Sequence, residues 1–186
     1  MICDEQDINV WELIELANRH PRINILKPGP GVGGHCIAVD PWFIVSRSPQ
    51  HAKLIRTARQ INDYKPKWVE EKINTLVLDL KGANDSWPEI RFWGLAFKAD
   101  IDDLRESPAL KIVENFCNFY QGVIKVIEPN ISTVPRTISS KAQLFDTKSV
   151  SFDMGVDVIL VDHKEFLDLD FGASVIDTRG ILEAKC

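Results

Sequence analysis

Four short apolar runs in the second half of the chain limit the folds that are open to it. Each run has the length of a strand, whereas a buried helix would need a longer run. A helix is predicted between the first two runs, from Ser107 to about Tyr120, because serine caps helices and Pro108 fits the first turn. A weaker helix is predicted over residues 164–169, and strands that alternate with helices predict an α/β fold with a mainly parallel sheet. The four runs are residues 90–97, 123–127, 156–161 and 174–177.

The first half of the chain has helical periodicity. A helix is predicted from Val10 to about Arg19, with Asn9 as its cap. A second helical region starts near Gln50, and Pro66 either kinks it or begins a new helix. The pattern ends at Gly82, which we interpret as a glycine stop.

A polar stretch over residues 82–89 marks a predicted domain boundary. It separates a helical segment, residues 1–82, from an α/β domain, residues 88–186. Residues 129–151 carry no clear pattern. Residues 20–49 are predicted to be irregular, apart from a short helical turn near Asp40, and a loop of this length inside a compact protein is often functional.

That irregular segment contains a glycine-rich stretch that leads into a cysteine. Four of the six residues at positions 29–34 are glycine, and Cys36 follows. Glycine lets backbone approach a ligand closely, so Gly31, Gly33 and Gly34 are candidates to meet a sugar or a phosphate, although a plain flexible loop would look the same. A thiol is an intrinsically strong nucleophile, but most free cysteines are small buried hydrophobic residues, and the residue type alone leaves both roles open for Cys36.

Composition and charge exclude several classes of function. The net charge of −5 argues against binding nucleic acid through bulk charge. No apolar run approaches the roughly 20 residues that span a bilayer, and the N-terminus lacks the features of a signal peptide. We therefore expect a cytoplasmic protein without membrane contact, in which the four cysteines stay reduced. They form no C-x-x-C pair, so no metal site is predicted, and Asp102, Asp103 and Glu106 are interpreted as loop and cap residues.

Two long motifs, in order, resemble those of the UDP-glucose/GDP-mannose dehydrogenase family. They are G-P-G-V-G-G-H-C-I-A-V-D-P at residues 29–41 and G-L-A-F-K-A-D-I-D-D-L-R-E-S-P at residues 94–108. The histidine before the cysteine resembles the family members that act on UDP-N-acetyl-D-mannosamine. The resemblance implies a Rossmann-like C-terminal domain that binds UDP, NAD as cofactor, a homodimer formed through the central helical segment, and a role in making surface polysaccharide precursors.

The resemblance also implies roles for individual residues. The family oxidises a primary alcohol to a carboxylate in two hydride transfers to NAD, with a cysteine that holds the aldehyde intermediate. Cys36 matches that nucleophile, and Asp40 matches an aspartate that helps activate water, although it could instead be a helix cap. Arg105 matches an arginine that contacts NAD. The expected substrate contacts, each of which could otherwise be an ordinary surface or loop residue, are His20 and Arg22 (toward the neighbouring subunit's substrate), Gly31, Gly33, Gly34, Phe97, Lys98 and Arg179.

Part of the family's machinery has no match in these residues. No G-x-G-x-x-G follows a strand, and the resemblance implies that the NAD-binding Rossmann domain and a catalytic lysine and asparagine lie outside the 186 residues. We therefore expect no turnover by this chain alone. Two alternatives remain: a non-catalytic module for UDP-sugar binding or dimerisation, and an inactive truncated gene product.

Overall fold

Helices make up the N-terminal part of the molecule. The computed structural model describes residues 1–150 and 155–182. The first four helices are α1 (Ile2–Glu5), α2 (Val10–Asn18), α3 (Asp40–Arg47) and α4 (Lys53–Asn84). In the described ranges, no helix has both the length and the apolar character that crossing a bilayer requires.

The cap predicted for α2 is confirmed. The Asn9 side chain accepts hydrogen bonds from the backbone N–H groups of Trp11, at 2.9 Å, and Glu12, at 3.3 Å. The turn predicted near Asp40 is longer than expected, because α3 is a helix of eight residues with Pro41 in its first turn. Residues 20–39 contain no regular helix or strand, as predicted.

The long helix α4 corrects one prediction and excludes one of the two alternatives left open at Pro66. It runs through Pro66 without a break, so a new helix does not begin there. Gly82 does not stop it either: the helix ends two residues later, and Asp85 takes the left-handed conformation at φ 51°. Val69, Ile73 and Val77 are buried against the rest of the core, and this packing offsets the weak helix propensity of one proline and one glycine.

The second half of the chain forms a sheet of five parallel strands in the order β3-β2-β1-β4-β5. This confirms the α/β prediction. The strands are β1 (Glu89–Trp93), β2 (Ile124–Ile127), β3 (Ala142–Phe145), β4 (Gly155–Ile159) and β5 (Val175–Asp177). Strand β3 lies in the segment to which the sequence assigned no structure. The helix predicted over residues 164–169 is a single 3₁₀ turn, Lys164–Phe166.

The two faces of the sheet are covered differently. Helix α4 and helix α5 (Pro108–Phe119) pack on the face that carries Phe92. The opposite face carries Trp93, whose ring meets Phe166 and Phe171 edge-on at 5.3 and 5.0 Å between centroids. Successive side chains of a strand point to opposite faces, which explains why neighbours in β1 enter separate cores.

All five strands run in the same direction, so the loops that leave their carboxyl ends gather at one edge of the sheet. Strand β1 ends at Trp93, four residues earlier than predicted, because Gly94 turns the chain with φ 93°. The side chain of Val161 occupies the place of a Cβ atom at Gly94, so only glycine fits this turn. This edge, where parallel sheets usually bind ligands, receives the motif that begins at Gly94.

Candidate functional site

The glycine-rich loop is held between α4 and the segment that precedes α5. The Asn62 side chain accepts a hydrogen bond from Val32 N at 2.8 Å and donates one to Val32 O at 3.2 Å. On the other side, Gly34 N donates to the carbonyl oxygen of Arg105 at 3.1 Å. Pro66 lacks an N–H, so it cannot donate to the Asn62 carbonyl one turn earlier, and the loop passes this carbonyl at Gly31.

Two glycines of the loop are required by this packing. A Cβ atom at Gly33 would collide with the carbonyl oxygen of Glu106 and lie 2.8 Å from Cβ of Phe97. Gly34 has φ 87° and lies against the Phe97 ring. Both glycines are buried, so the structure gives them a packing role beside the predicted substrate contact, which stays a prediction.

Cys36 is exposed at the start of a helical turn that leads into α3. Its carbonyl oxygen accepts hydrogen bonds from Val39 N at 3.1 Å and Asp40 N at 2.8 Å. Residues four apart in a helical turn lie on the same side, with Cβ atoms about 5–6 Å apart. Cys36 and Asp40 are both exposed and lie one backbone turn apart.

Arg105 and Asp103 form an ion pair next to this loop. Arg105 Nε and Nη2 donate to the two carboxylate oxygens of Asp103 at 2.9 and 2.5 Å. These hydrogen bonds lower the pKa of Asp103 to about 2 and raise the pKa of Arg105. A thiolate at Cys36 would raise the pKa of Arg105 further, so the guanidinium lies within electrostatic range of the candidate nucleophile.

A second group of predicted residues meets in a crevice at the carboxyl edge of the sheet. The crevice has a volume of about 10 Å³, and Arg179 is one of the residues that line it. Arg179 Nε and Nη2 donate to Asp162 at 2.9 and 2.8 Å, and its guanidinium packs on Gly29. The crevice joins five separate stretches of the sequence, and the residues that border it include Gly31, Phe97, Lys98, Asp162 and Arg179.

The turn that carries Arg179 is fixed by the residue that ends β5. Asp177 accepts hydrogen bonds from the backbone N–H groups of Arg179, Gly180 and Leu182 at 2.8, 2.8 and 2.9 Å. The backbone of this turn is therefore held by three hydrogen bonds, and the Arg179 side chain is held separately by Asp162.

His20 and Arg22 lie apart from these residues. Both are exposed just beyond α2, where Arg22 N donates to His20 Nδ1 at 3.3 Å. Within residues 1–150 and 155–182, no hydrogen bond joins either of them to the Cys36 loop or to the crevice. Their predicted contact with the substrate of a neighbouring subunit stays a prediction.

One group of side chains has the spacing of a metal site. Ligand atoms of Asp100, His163 and Glu165 lie within 4.8 Å of one another. However, the His163 Nδ1 lone pair already accepts a hydrogen bond from Asp100 N at 2.9 Å. The geometry gives no support for a cation there.

Sequence reasoning missed the residues that hold the predicted ones in place. Asn62 anchors the glycine loop, Asp162 pairs with Arg179, and Glu128 and His163 bond to the backbone around Lys98. A signal existed for the last three, because polar residues that directly follow apolar strands lie at the ligand-binding edge of a parallel sheet.

Both halves of the chain match domains of one known protein family. Residues 1–64 match the UDP-glucose/GDP-mannose dehydrogenase family, central domain, and residues 91–184 match the UDP binding domain of the same family. The chain is 52% identical over 188 aligned positions to the UDP-N-acetyl-D-mannosamine dehydrogenase of Yersinia pestis, covering 97% of this chain and 45% of that protein. It is 49% identical to the NDP-N-acetyl-D-galactosaminuronic acid dehydrogenase of Ralstonia nicotianae, covering 100% of this chain and 43% of that one.

A solved structure of the UDP-N-acetyl-mannosamine dehydrogenase from Staphylococcus aureus superposes with a TM-score of 0.75 at 36% identity, covering 97% of this chain and 42% of that one. The chain thus spans less than half the length of the relatives it matches. The fold, the two motifs and the two matched domains agree. The chain belongs to the UDP-glucose/GDP-mannose dehydrogenase family and carries residues of its central and UDP binding domains.

Proposed function

We propose that this chain forms the cysteine-bearing and UDP-binding part of an NAD-dependent dehydrogenase that oxidises C6 of UDP-N-acetyl-D-mannosamine to a carboxylate. The observation that carries the proposal is the meeting of distant motifs at one edge of the sheet. Gly31, Lys98 and Arg179 border one crevice, and Cys36 ends the same glycine loop. The 52% identity to the Yersinia pestis enzyme supports the choice of sugar.

The crevice residues suit a diphosphate. Lys98 is exposed, and Arg179 can exchange the Asp162 carboxylate for a phosphate that accepts the same two donors. Such an exchange would also open the crevice. We therefore expect UDP to bind with Arg179 turned toward the phosphates and Lys98 beside it.

The chemistry assigned to the chain itself rests on Cys36 and Asp40. The Cys36 thiolate adds through Sγ to the C6 carbon of the sugar aldehyde, which prevents the aldehyde from escaping. After the second hydride has left that carbon, C6 is a thioester. Asp40, one helical turn away, accepts a proton from the attacking water, the C6–Sγ bond breaks, and the products are the carboxylate and the free thiol.

The described residues fit a contact with NAD rather than its main binding site. The glycine loop is docked between α4 and the segment before α5 and does not connect a strand to a helix, as a dinucleotide-binding turn does. Arg105 is exposed beside Cys36 and could reach a phosphate if it released Asp103. NAD, when bound, supplies the acceptor for both hydrides.

Calorimetry with UDP on the 186-residue chain tests the binding half of the proposal. Lys98→Ala and Arg179→Ala should each weaken binding by about 10-fold or more, because each removes a charge-assisted contact. Lys164→Ala is the matched control, an exposed lysine at the same edge that does not border the crevice. Absence of UDP binding by the unaltered chain, or equal losses in the control, would overturn the proposal.

Activity measurements distinguish a catalytic role of Cys36 from a chain that only binds the UDP-sugar. UDP-N-acetyl-D-mannosamine and NAD, added to the purified chain, should give no NADH, whereas steady NADH production would contradict the expectation that further residues are needed. Equal UDP-sugar affinity of the unaltered chain and a Cys36→Ser variant is expected in either case. The chain can also be mixed with the NAD-binding part of a family member. If no turnover that depends on Cys36 is then found, the chain is a binding module only.

We also propose a homodimer formed through the helical segment, as the family resemblance implies. Leu54 and Ile61 of α4 are 83% and 57% exposed, and a second copy would cover such apolar side chains. Sedimentation should give a dimer, and a double Leu54→Glu, Ile61→Glu variant should give a monomer. A monomeric unaltered chain would rule this out.

A further inference from the structure

A buried carboxylate and a buried imidazole meet at the carboxyl ends of β2 and β4. Glu128 directly follows β2, and His163 lies four residues beyond β4. Both side chains are fully buried, with His163 Nε2 and Glu128 Oε2 3.0 Å apart. Neither residue borders the crevice of Lys98 and Arg179. Burying such a pair is unfavourable unless its polar atoms are bonded, so its partners indicate its role.

Glu128 holds the backbone that leaves β1. Its Oε2 accepts hydrogen bonds from Leu95 N at 2.7 Å and Ala96 N at 3.1 Å, and its Oε1 accepts one from Asn130 N at 3.1 Å. Burial by itself would raise the pKa of Glu128, but the hydrogen bonds from His163, Leu95 and Asn130 together hold that pKa below its ordinary value. The side chain is therefore a carboxylate with its charge spread over several donors.

His163 holds the same loop farther along. Its Nδ1 accepts a hydrogen bond from Asp100 N at 2.9 Å, and the Asn130 side-chain nitrogen lies 3.0 Å from the same atom. A ring nitrogen that accepts from a backbone N–H carries no proton. The proton of the neutral ring therefore sits on Nε2 and is donated to Glu128.

These two tethers enclose Phe97 and Lys98. Ala96 is fixed on one side and Asp100 on the other, so the segment that carries the lysine has little freedom. Lys98 itself forms no ion pair within the residues that the structure describes. The position of its ammonium thus depends on the backbone beneath it.

We propose that Glu128 and His163 act as a pair of positioning residues that hold the Phe97–Lys98 segment at the crevice in the geometry that binds the nucleotide diphosphate. The inference rests on the proposed function, because that function gives Lys98 its ligand. The pair does not touch the ligand. It joins the ends of three neighbouring strands, β2, β1 and β4, in a single hydrogen-bonded unit.

Two conservative variants separate the two tethers. His163→Gln keeps a donor near the Nε2 position, for Glu128, and loses the acceptor for Asp100 N. His163→Asn keeps an acceptor near the Nδ1 position and loses the bond to Glu128. Amide hydrogen exchange measured by NMR should therefore speed up at Asp100 in the first variant and at Leu95 and Ala96 in the second, while Val158 in the sheet interior stays protected.

In both variants UDP affinity should fall about 10-fold, equivalent to the loss of about 1.4 kcal/mol. Thermal unfolding confirms beforehand that each variant is folded. Faster exchange around Lys98 with UDP affinity within twofold of the unaltered chain would overturn the positioning role, as would unchanged exchange at these amides. If the unaltered chain binds no UDP, the proposed function fails, and the positioning role fails with it even if the exchange data establish the two tethers.

Discussion

Arg91 and Asp157 lie directly opposite each other on β1 and β4 and form a fully buried ion pair. Arg91 Nε and Nη2 donate to the two carboxylate oxygens at 2.7 and 2.9 Å, and Trp93 Nε1 donates to Asp157 at 2.8 Å. The pair lies in the middle of the sheet, where an unpaired charge would have no access to water. The pair joins β1 and β4, and the segments that follow these two strands both contribute residues to the crevice.

Replacing Asp157 with asparagine should therefore destabilise the fold strongly. The change removes the buried carboxylate that accepts two of the guanidinium's hydrogen bonds and leaves Arg91 with Glu89, at 3.3 Å, as its counter-charge among the described residues. Removing one partner of a buried ion pair costs about 3–5 kcal/mol. Glu15→Ala is the control, since it breaks an exposed pair with Arg19 at 3.9 Å and should cost well under 1 kcal/mol. Urea unfolding measures both, and similar losses in the two variants would show that the buried pair contributes little.

Two glycines should respond in opposite directions to alanine. Gly33→Ala should cost about 1–3 kcal/mol, because its Cβ atom would displace the Glu106 carbonyl or the glycine loop. Gly82→Ala should stabilise by roughly 0.5–1 kcal/mol, since Gly82 lies inside α4 and its Cβ atom would meet nothing within 4 Å. Urea unfolding of both variants decides the matter, and a Gly33→Ala protein as stable as the unaltered chain would contradict the docked loop.

Cys36 should be the first cysteine to react with iodoacetamide at pH 8. It is exposed, whereas Cys3 is half-buried and Cys117 is buried, and burial raises the pKa of Cys117 to about 11. Only the thiolate reacts, so Cys117 should be modified at least about 100-fold more slowly. Mass spectrometry of peptides from a Cys186→Ser protein follows the reaction, since Cys186 lies outside the described residues, and earlier modification of Cys117 would disagree with the structure.

Glu128 should make stability depend on pH in acid. Its pKa in the folded protein lies below the ordinary 4.5, so its contribution to stability is complete above that value and is lost as the pH falls through the folded pKa. A Glu128→Gln variant lacks this contribution. The difference in unfolding free energy between the two proteins should be constant from pH 7 to about pH 5.5 and shrink below about pH 4.5. A difference that is the same at all pH values would place the pKa elsewhere.

The sequence predicted those parts of the fold in which local pattern and tertiary packing agree. Strands β1, β2, β4 and β5 are apolar runs, and their positions were predicted to within a few residues. Strand β3 was not predicted because an edge strand of four residues, three of them exposed or partly exposed, has no distinctive pattern. The stop at Gly82 was wrong because buried residues on the preceding turns hold α4 in helical form beyond the glycine.

The candidate site could be predicted only in part, for a related reason. Cys36, Lys98 and Arg179 belong to contiguous motifs or follow strands. Their partners come from elsewhere: Asn62 lies 30 residues from the loop that it holds, and His163 lies 63 residues from the amide that it binds. Such pairings depend on which strands become neighbours in the sheet. The spatial strand order β3-β2-β1-β4-β5 cannot be predicted from local periodicity.

Helix α4 also limits the motions open to the molecule. Its 32 residues span about 48 Å along the helix axis, with the glycine loop fixed to it at Asn62 and the sheet packed on it at Val69 to Val77. The connection to β1 is anchored as well, because Trp87 bonds to Gln121 and Tyr120 bonds to the carbonyl of Pro88. In the described residues the loop and the sheet are thus fixed to the same helix. If the crevice binds a nucleotide, as proposed, we therefore expect entry to depend on the Arg179 side chain rather than on a movement of the loop away from the sheet.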